Sequence, residues 1–140
     1  MIVLDTNVLS ELMSPSPQPV VGRWIARQAG RQLFTTSISM AEILQGIEML
    51  PPGKRRTGLL VAAQAMFSGL FPGRVLPFHE DAARAFAPIA ANLRTRGRPI
   101  SLFDAQIAAI ARASGATLAT HDTADFEDCG VRLVNPWVAQ

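Results

Sequence analysis

The sequence predicts an α/β domain of three layers, a parallel sheet of five short strands with helices on both faces. Three observations carry that prediction. Short apolar runs alternate along the chain with stretches whose apolar residues recur at three- and four-residue spacing, the pattern of strands joined by helical crossovers. The first run, Ile2-Val3-Leu4, has no polar interruption, as in a strand buried on both faces. With 140 residues, 49% of them hydrophobic and 17% charged, the chain is long enough for one domain with a sizeable core and too apolar for disorder.

Taken in order, the first strand delivers Asp5 and passes at once into a helix whose stripe is Val8, Leu9 and Leu12. Asp5, Thr6 or Asn7 can cap its first turn. Residues 14–19 contain three prolines and form a rigid connector, after which Val21, Trp24 and Ile25 mark a short helix. Residues 32–36 read as the second strand. A helix over about 40–49 follows, with Ile43, Leu44 and Ile47 inward. Pro51-Pro52-Gly53 breaks the chain before a longer helix with Leu59, Leu60, Ala63, Met66, Phe67, Leu70 and Phe71 at helical spacing. Residues 74–78 are the third strand, placed near an edge by Pro77. The next helix, to about Arg94, has Phe86, Ile89 and Leu93 inward and a kink expected at Pro88. A helix over 102–113 stops at Gly115, and the fourth and fifth strands lie at 116–120 and 131–134.

Cys129 is the single cysteine, which excludes an internal disulfide and a thiolate zinc cage. The chain shows no leader segment or membrane-spanning run, so the expectation is a soluble, cytoplasmic protein without a membrane partner. There are 13 basic residues, 12 of them arginine, against 11 acids. If four acids are sequestered in one site, the remaining surface is strongly basic. A basic exterior around an acidic hole suits a polyanion held at a metal centre.

The acids in question are Asp5, Glu42, Asp104 and Asp122. In a parallel sheet every strand's carboxyl end lies on one edge, where ligands bind. Asp5 and Asp122 leave the first and fourth strands, with Asp125 three residues on. Glu42 follows the second strand, and Asp104 opens the helix before the fourth. Each also has a structural use. Ser39 with Glu42 and Ser101 with Asp104 have capping-box spacing, and Asp122 and Asp125 can cap a terminal turn. A helix N-terminus favours an acid by only about 0.3–1 kcal/mol, whereas two carboxylates about 4 Å apart repel by roughly 4 kcal/mol at an effective dielectric of 20. Capping alone would not gather them. A divalent cation would, and an all-oxygen ligand set suits Mg²⁺ or Mn²⁺. Such a site supports phosphodiester hydrolysis by metal-activated water, with no side-chain nucleophile. Thr6, Asn7 and Thr120 are candidates for orienting water or a carboxylate, and His121 is a general acid or a plain loop residue. Arg94, Arg96 and Arg98, and separately Lys54-Arg55-Arg56, either reach substrate phosphates or carry solvated loop charge.

Ile2-Val3-Leu4-Asp5-Thr6-Asn7-Val8, Ala41-Glu42, residues 102–109 and Thr120-His121-Asp122-Thr123-Ala124-Asp125-Phe126 resemble, in order, the four motifs of PIN-domain nucleases. The ending Val134-Asn135-Pro136-Trp137 is similar to that of the VapC- and FitB-type toxins within that family. The resemblance implies a sheet of order 3-2-1-4-5 and a Mg²⁺- or Mn²⁺-dependent endoribonuclease. Its acids fall on Asp5, Glu42, Asp104 and Asp122, with Asp5 and Asp104 the most direct metal ligands and Asp125 competing with Asp122 for the fourth place. It further implies an RNA substrate, a homodimer, and inhibition by a small antitoxin that binds operator DNA and lays its tail in a groove beside the site. Other classes with an acid after the first strand fit poorly. A haloacid-dehalogenase-type phosphatase needs a second acid where Asn7 stands, and a response-regulator receiver needs a lysine after its last strand. A DNA nuclease using the same acids, or a non-catalytic scaffold, stays open.

Overall fold

A computed structural model describes residues 1–138. The strands are β1 (Ile2–Leu4), β2 (Leu33–Thr36), β3 (Val75–Leu76), β4 (Thr117–Ala119) and β5 (Arg132–Val134). The helices are α1 (Thr6–Met13), α2 (Pro19–Arg27), α3 (Ser37–Glu48), α4 (Lys54–Leu70), α5 (Glu80–Thr95) and α6 (Leu102–Ala113). All strand pairs are parallel and their order is β3-β2-β1-β4-β5, as the family resemblance implies.

Strand side chains alternate between two cores, the consequence of a two-residue period. Leu4, Leu33, Val75, Ala119 and Val134 face a core built by α1 to α4, with Trp24, Ile43, Ile47, Met66 and Phe67. Their neighbours Val3, Phe34, Leu76, Leu118 and Leu133 face a second core with Ile89, Leu93 and Ile107 of α5 and α6. The central strand is fully covered, Val3 and Leu4 both having no exposed surface. Thr35 Oγ1 donates to the Leu4 carbonyl at 2.9 Å, which extends the β1–β2 pairing by one side-chain bond.

Several element boundaries differ from expectation. Helix α3 begins at Ser37, not near residue 40, because the Thr36 hydroxyl accepts from the Ser39 amide at 3.0 Å and caps the helix three residues early. Glu42 therefore lies in the second turn, outside any capping box. Helix α5 runs through Pro88 without a break. Leu44, Leu60 and Leu70, expected on buried stripes, are exposed; the inner face of α4 is Ala63, Met66 and Phe67, with Phe71 just beyond its end. Gly115 ends α6 at a φ of 65°, with the Ala116 amide reaching back to Ala111 as expected of a glycine stop.

Ile107 is a clean probe of the second core because it is completely buried and makes no polar contact with the acids. Ile107→Ala is expected to lower unfolding free energy by about 2–5 kcal/mol, measured by urea denaturation. A loss below about 1 kcal/mol would show that α6 is not packed as described.

Candidate active site

The site grows from the pairing of β1 with β4. Leu4 lies opposite Ala119, so the chain leaves both strands side by side, and the Asp5 amide continues the ladder to the Ala119 carbonyl at 2.9 Å. Asp5 is 4% exposed. Its Oδ1 accepts from the Thr6 amide at 2.8 Å and its Oδ2 from the Thr120 hydroxyl at 2.7 Å. Capping and delivery of a carboxylate to the sheet edge are thus both true of it.

Asn7 and Thr6 extend the site in two directions. Asn7 Nδ2 donates to Thr120 Oγ1 at 3.3 Å and to Asp122 Oδ2 at 3.2 Å. The Asp122 amide also donates to Thr120 Oγ1, at 3.1 Å. On the other side Thr6 Oγ1 stands 2.9 Å from Ser39 Oγ and donates to Glu42 Oε1 at 2.7 Å. Asp104 sits in the first turn of α6, where its amide donates to the Ser101 hydroxyl at 3.1 Å, so half of the expected capping box is formed. Acids therefore arrive from within the sheet, from α3 on one face and from α6 on the other.

They feel one another electrostatically. Burial, helped by the nearby charges of Asp104 and Glu42, pushes the Asp5 carboxyl up to about 6 against the lowering effect of its bonds to Thr120 and Thr6. Asp104 is also raised, first by burial and then by Glu42, Asp125 and Asp122, with the bond to Ser101 opposing. Among the described residues, however, no three carboxylate or imidazole groups form a ready-made cation cage. The expectation that the acids meet in one tight pocket is corrected to that extent. Thr6 holds Glu42, Asn7 holds Asp122 and Thr120 holds Asp5, so neutral donors hold them separately along the edge. The donor set is nonetheless all oxygen, and carboxylates whose ionisation is opposed by burial and by one another gain a compensating charge from a hard divalent cation.

Asp125 and Asp122 take different places. Asp125 lines a cavity of about 270 Å³ with Asp104, Ser101 and Arg98, while Asp122 turns toward Asn7. Arg96 and Arg98 are not free phosphate hooks. Both reach Asp128 Oδ2, at 3.2 and 3.0 Å, and Arg98 also reaches Glu127 and the Ala124 carbonyl. Arg94 is exposed at the end of α5. Arg98 thus stands beside Asp104 and Asp125, and Arg55 stands beside Glu42, lining a groove of about 500 Å³ with Thr6, Glu42, Met13, Ile47 and Leu59. Sequence reasoning gave no role in the site to Ser39 beyond capping, or to Asn135 and Trp137. Asn135 Nδ2 donates to the His121 carbonyl at 3.4 Å, and the Trp137 ring stacks on His121. Only the order of residues 134–137 could have signalled these contacts.

A profile of the PIN domain matches residues 2–130. The chain belongs to the PIN-domain family. It is similar to the VapC ribonuclease Y4jK of Sinorhizobium fredii, 42% identical over 137 residues covering 98% of each chain. It is also similar to the toxin FitB of Neisseria gonorrhoeae, 36% identical over 137 residues, 98% of this chain and 99% of FitB. A solved structure of FitAB bound to a DNA fragment contains a chain that superposes with a TM-score of 0.91 at 36% identity, over 100% of this chain and 98% of that one.

The raised Asp5 carboxyl sets a pH dependence for this PIN domain. Below the ordinary value of 3.8 the group is protonated whether the chain is folded or not; as pH rises through about 6 the folded chain must carry a buried charge and loses stability. Asp5→Asn, uncharged throughout, should exceed the metal-free parent by about 3 kcal/mol above pH 6, converging with it in acid. Urea unfolding in EDTA across pH measures this, and a difference that does not change with pH would contradict it.

Proposed function

We propose that this chain is the toxin of a type II toxin–antitoxin pair and acts as a Mg²⁺- or Mn²⁺-dependent endoribonuclease in the cytoplasm. The observation that carries the reading is the buried Asp5 carboxylate at the end of the central strand, with Asp104 and Glu42 opposing its ionisation. PIN-domain nucleases use divalent cations as a class, and the all-oxygen donor set at this sheet edge fits one. Asp5 and Asp104 would hold the cation, supported by Glu42 and by Asp122 or Asp125. A bound dication lowers the pKa of a water ligand and neutralises charge developing on the phosphate. Thr120 and the Thr6 amide orient Asp5, Thr6 orients Glu42, and Asn7 orients Asp122. Arg55 stands where it would meet a substrate phosphate.

The names of the relatives support RNA as substrate and toxin as role, and the FitAB complex supports a partner that binds DNA. In this reading a small antitoxin inhibits the chain, its tail filling the groove between α1, α3 and α4. In the same reading the chain forms a homodimer. No helix among the described residues is long and apolar enough to cross a membrane.

Asp5→Asn and Asp104→Asn should each lower RNA cleavage at least about a hundredfold, assayed on total RNA with Mn²⁺, and EDTA should abolish the parent's activity. Preferential cleavage of DNA would replace this reading with a DNA nuclease. Nucleic-acid binding without cleavage would make the chain a scaffold.

Metal binding has its own signature. Mn²⁺ at about a hundred times its Kd should stabilise the fold by about 2.7 kcal/mol, seen as a rise in Tm that Asp5→Asn removes. An unchanged Tm at saturating Mn²⁺ would count against any cation at these acids.

A further inference from the structure

The loop after β4 carries an aromatic pair that the reading above leaves unused. The imidazole of His121 lies on the indole of Trp137, ring centroids 4.4 Å apart and planes 19° from parallel. Hydrogen bonds fix the backbone on both sides. The His121 amide donates to Asn7 Oδ1 at 3.3 Å, Asn135 Nδ2 donates to the His121 carbonyl at 3.4 Å, and the Trp137 amide donates to Asn135 Oδ1 at 2.9 Å. Asn135 therefore joins the two ring-bearing segments directly. Trp137 is half-buried against the core under α1 to α4, whereas His121 is exposed. The indole is the backing and the imidazole the outward member.

The placement is specific to the site. His121 lies between Thr120, which holds Asp5, and Asp122, and the Asn7 amide that fixes its backbone also donates to both neighbours. An ordinary exposed loop histidine keeps its rotamer freedom, while this one is ordered by a frame shared with the acids. Flat rings fixed beside a phosphate site hold the bases of a single strand by stacking, which tolerates any sequence because every base has a π-face. Arg55 and the acids would engage the phosphates, and the ordered imidazole offers a flat surface to a base beside them.

We infer that His121, backed by Trp137, is a substrate-binding residue that stacks a nucleobase of single-stranded RNA next to the acids, an inference that rests on the ribonuclease reading above. The stack fixes where along the strand the acids act, without reading which base is present.

The test combines binding and cleavage. A short, mixed-sequence, fluorescein-labelled 2′-O-methyl oligoribonucleotide is titrated with the parent, His121→Ala and His121→Phe in Mn²⁺, and unmodified RNA is used for kinetics. His121→Ala should weaken binding roughly tenfold or more, with the cleavage loss appearing in KM rather than kcat, and His121→Phe should restore most of it. An abasic unit moved along the oligonucleotide should weaken the parent by a similar factor at one position and His121→Ala by nothing further there. Equal binding by parent and His121→Ala, a phenylalanine variant as weak as the alanine one, or indifference to every abasic position would each overturn the stack. A parent that binds with this dependence but cleaves no RNA would instead remove the ribonuclease reading and leave the stacking site in place.

Discussion

The structure depends on one costly placement, an aspartate at the end of a strand with no exposed side. Burying the Asp5 carboxylate beside two other acids opposes folding, and the Thr120 hydroxyl and Thr6 amide offset only part of that. Such an arrangement survives because the rest of the sheet over-determines it. β1 is paired on both edges and covered on both faces, so neither the strand nor its final carboxylate has anywhere else to go. Marginal global stability makes a local penalty of this size significant, and its persistence argues for chemistry at that position.

The two cores divide the labour around that carboxylate. The α1–α4 side supplies Glu42 and the groove, and the α5–α6 side supplies Asp104 and its cavity. Helices α3 and α6 also touch one another, so the faces are coupled near the acids rather than only through the sheet. Hydroxyl and amide side chains from Thr6, Asn7 and Thr120 fill the space between carboxylates. Neutral spacers of this kind hold negative groups near one another without letting them collide.

Much of this was legible in the sequence because strands and helices differ in period, and because a parallel topology fixes which ends share an edge. Asp5, Thr6, Asn7 and Thr120 could be named from their strand-end positions alone. Ser39 does not cap α3 because Thr36 captures that place, a competition between two hydroxyl residues three positions apart that spacing cannot decide. Leu44, Leu60 and Leu70 were misplaced because α3 and α4 carry more apolar residues than one face can bury. The partners of Arg96 and Arg98 lie about 30 residues away, on a turn whose conformation includes a positive φ at Asp128, and no periodicity signals such a contact.

That turn has a further consequence. Arg96 and Arg98 fasten the loop between α5 and α6 to residues 124–128, and the same loop walls the cavity that Asp104 and Asp125 share. The fastening is solvent-exposed, so it weakens as ionic strength rises and the Debye length shrinks. Rising salt therefore slackens a wall of the very chamber whose acids it also screens.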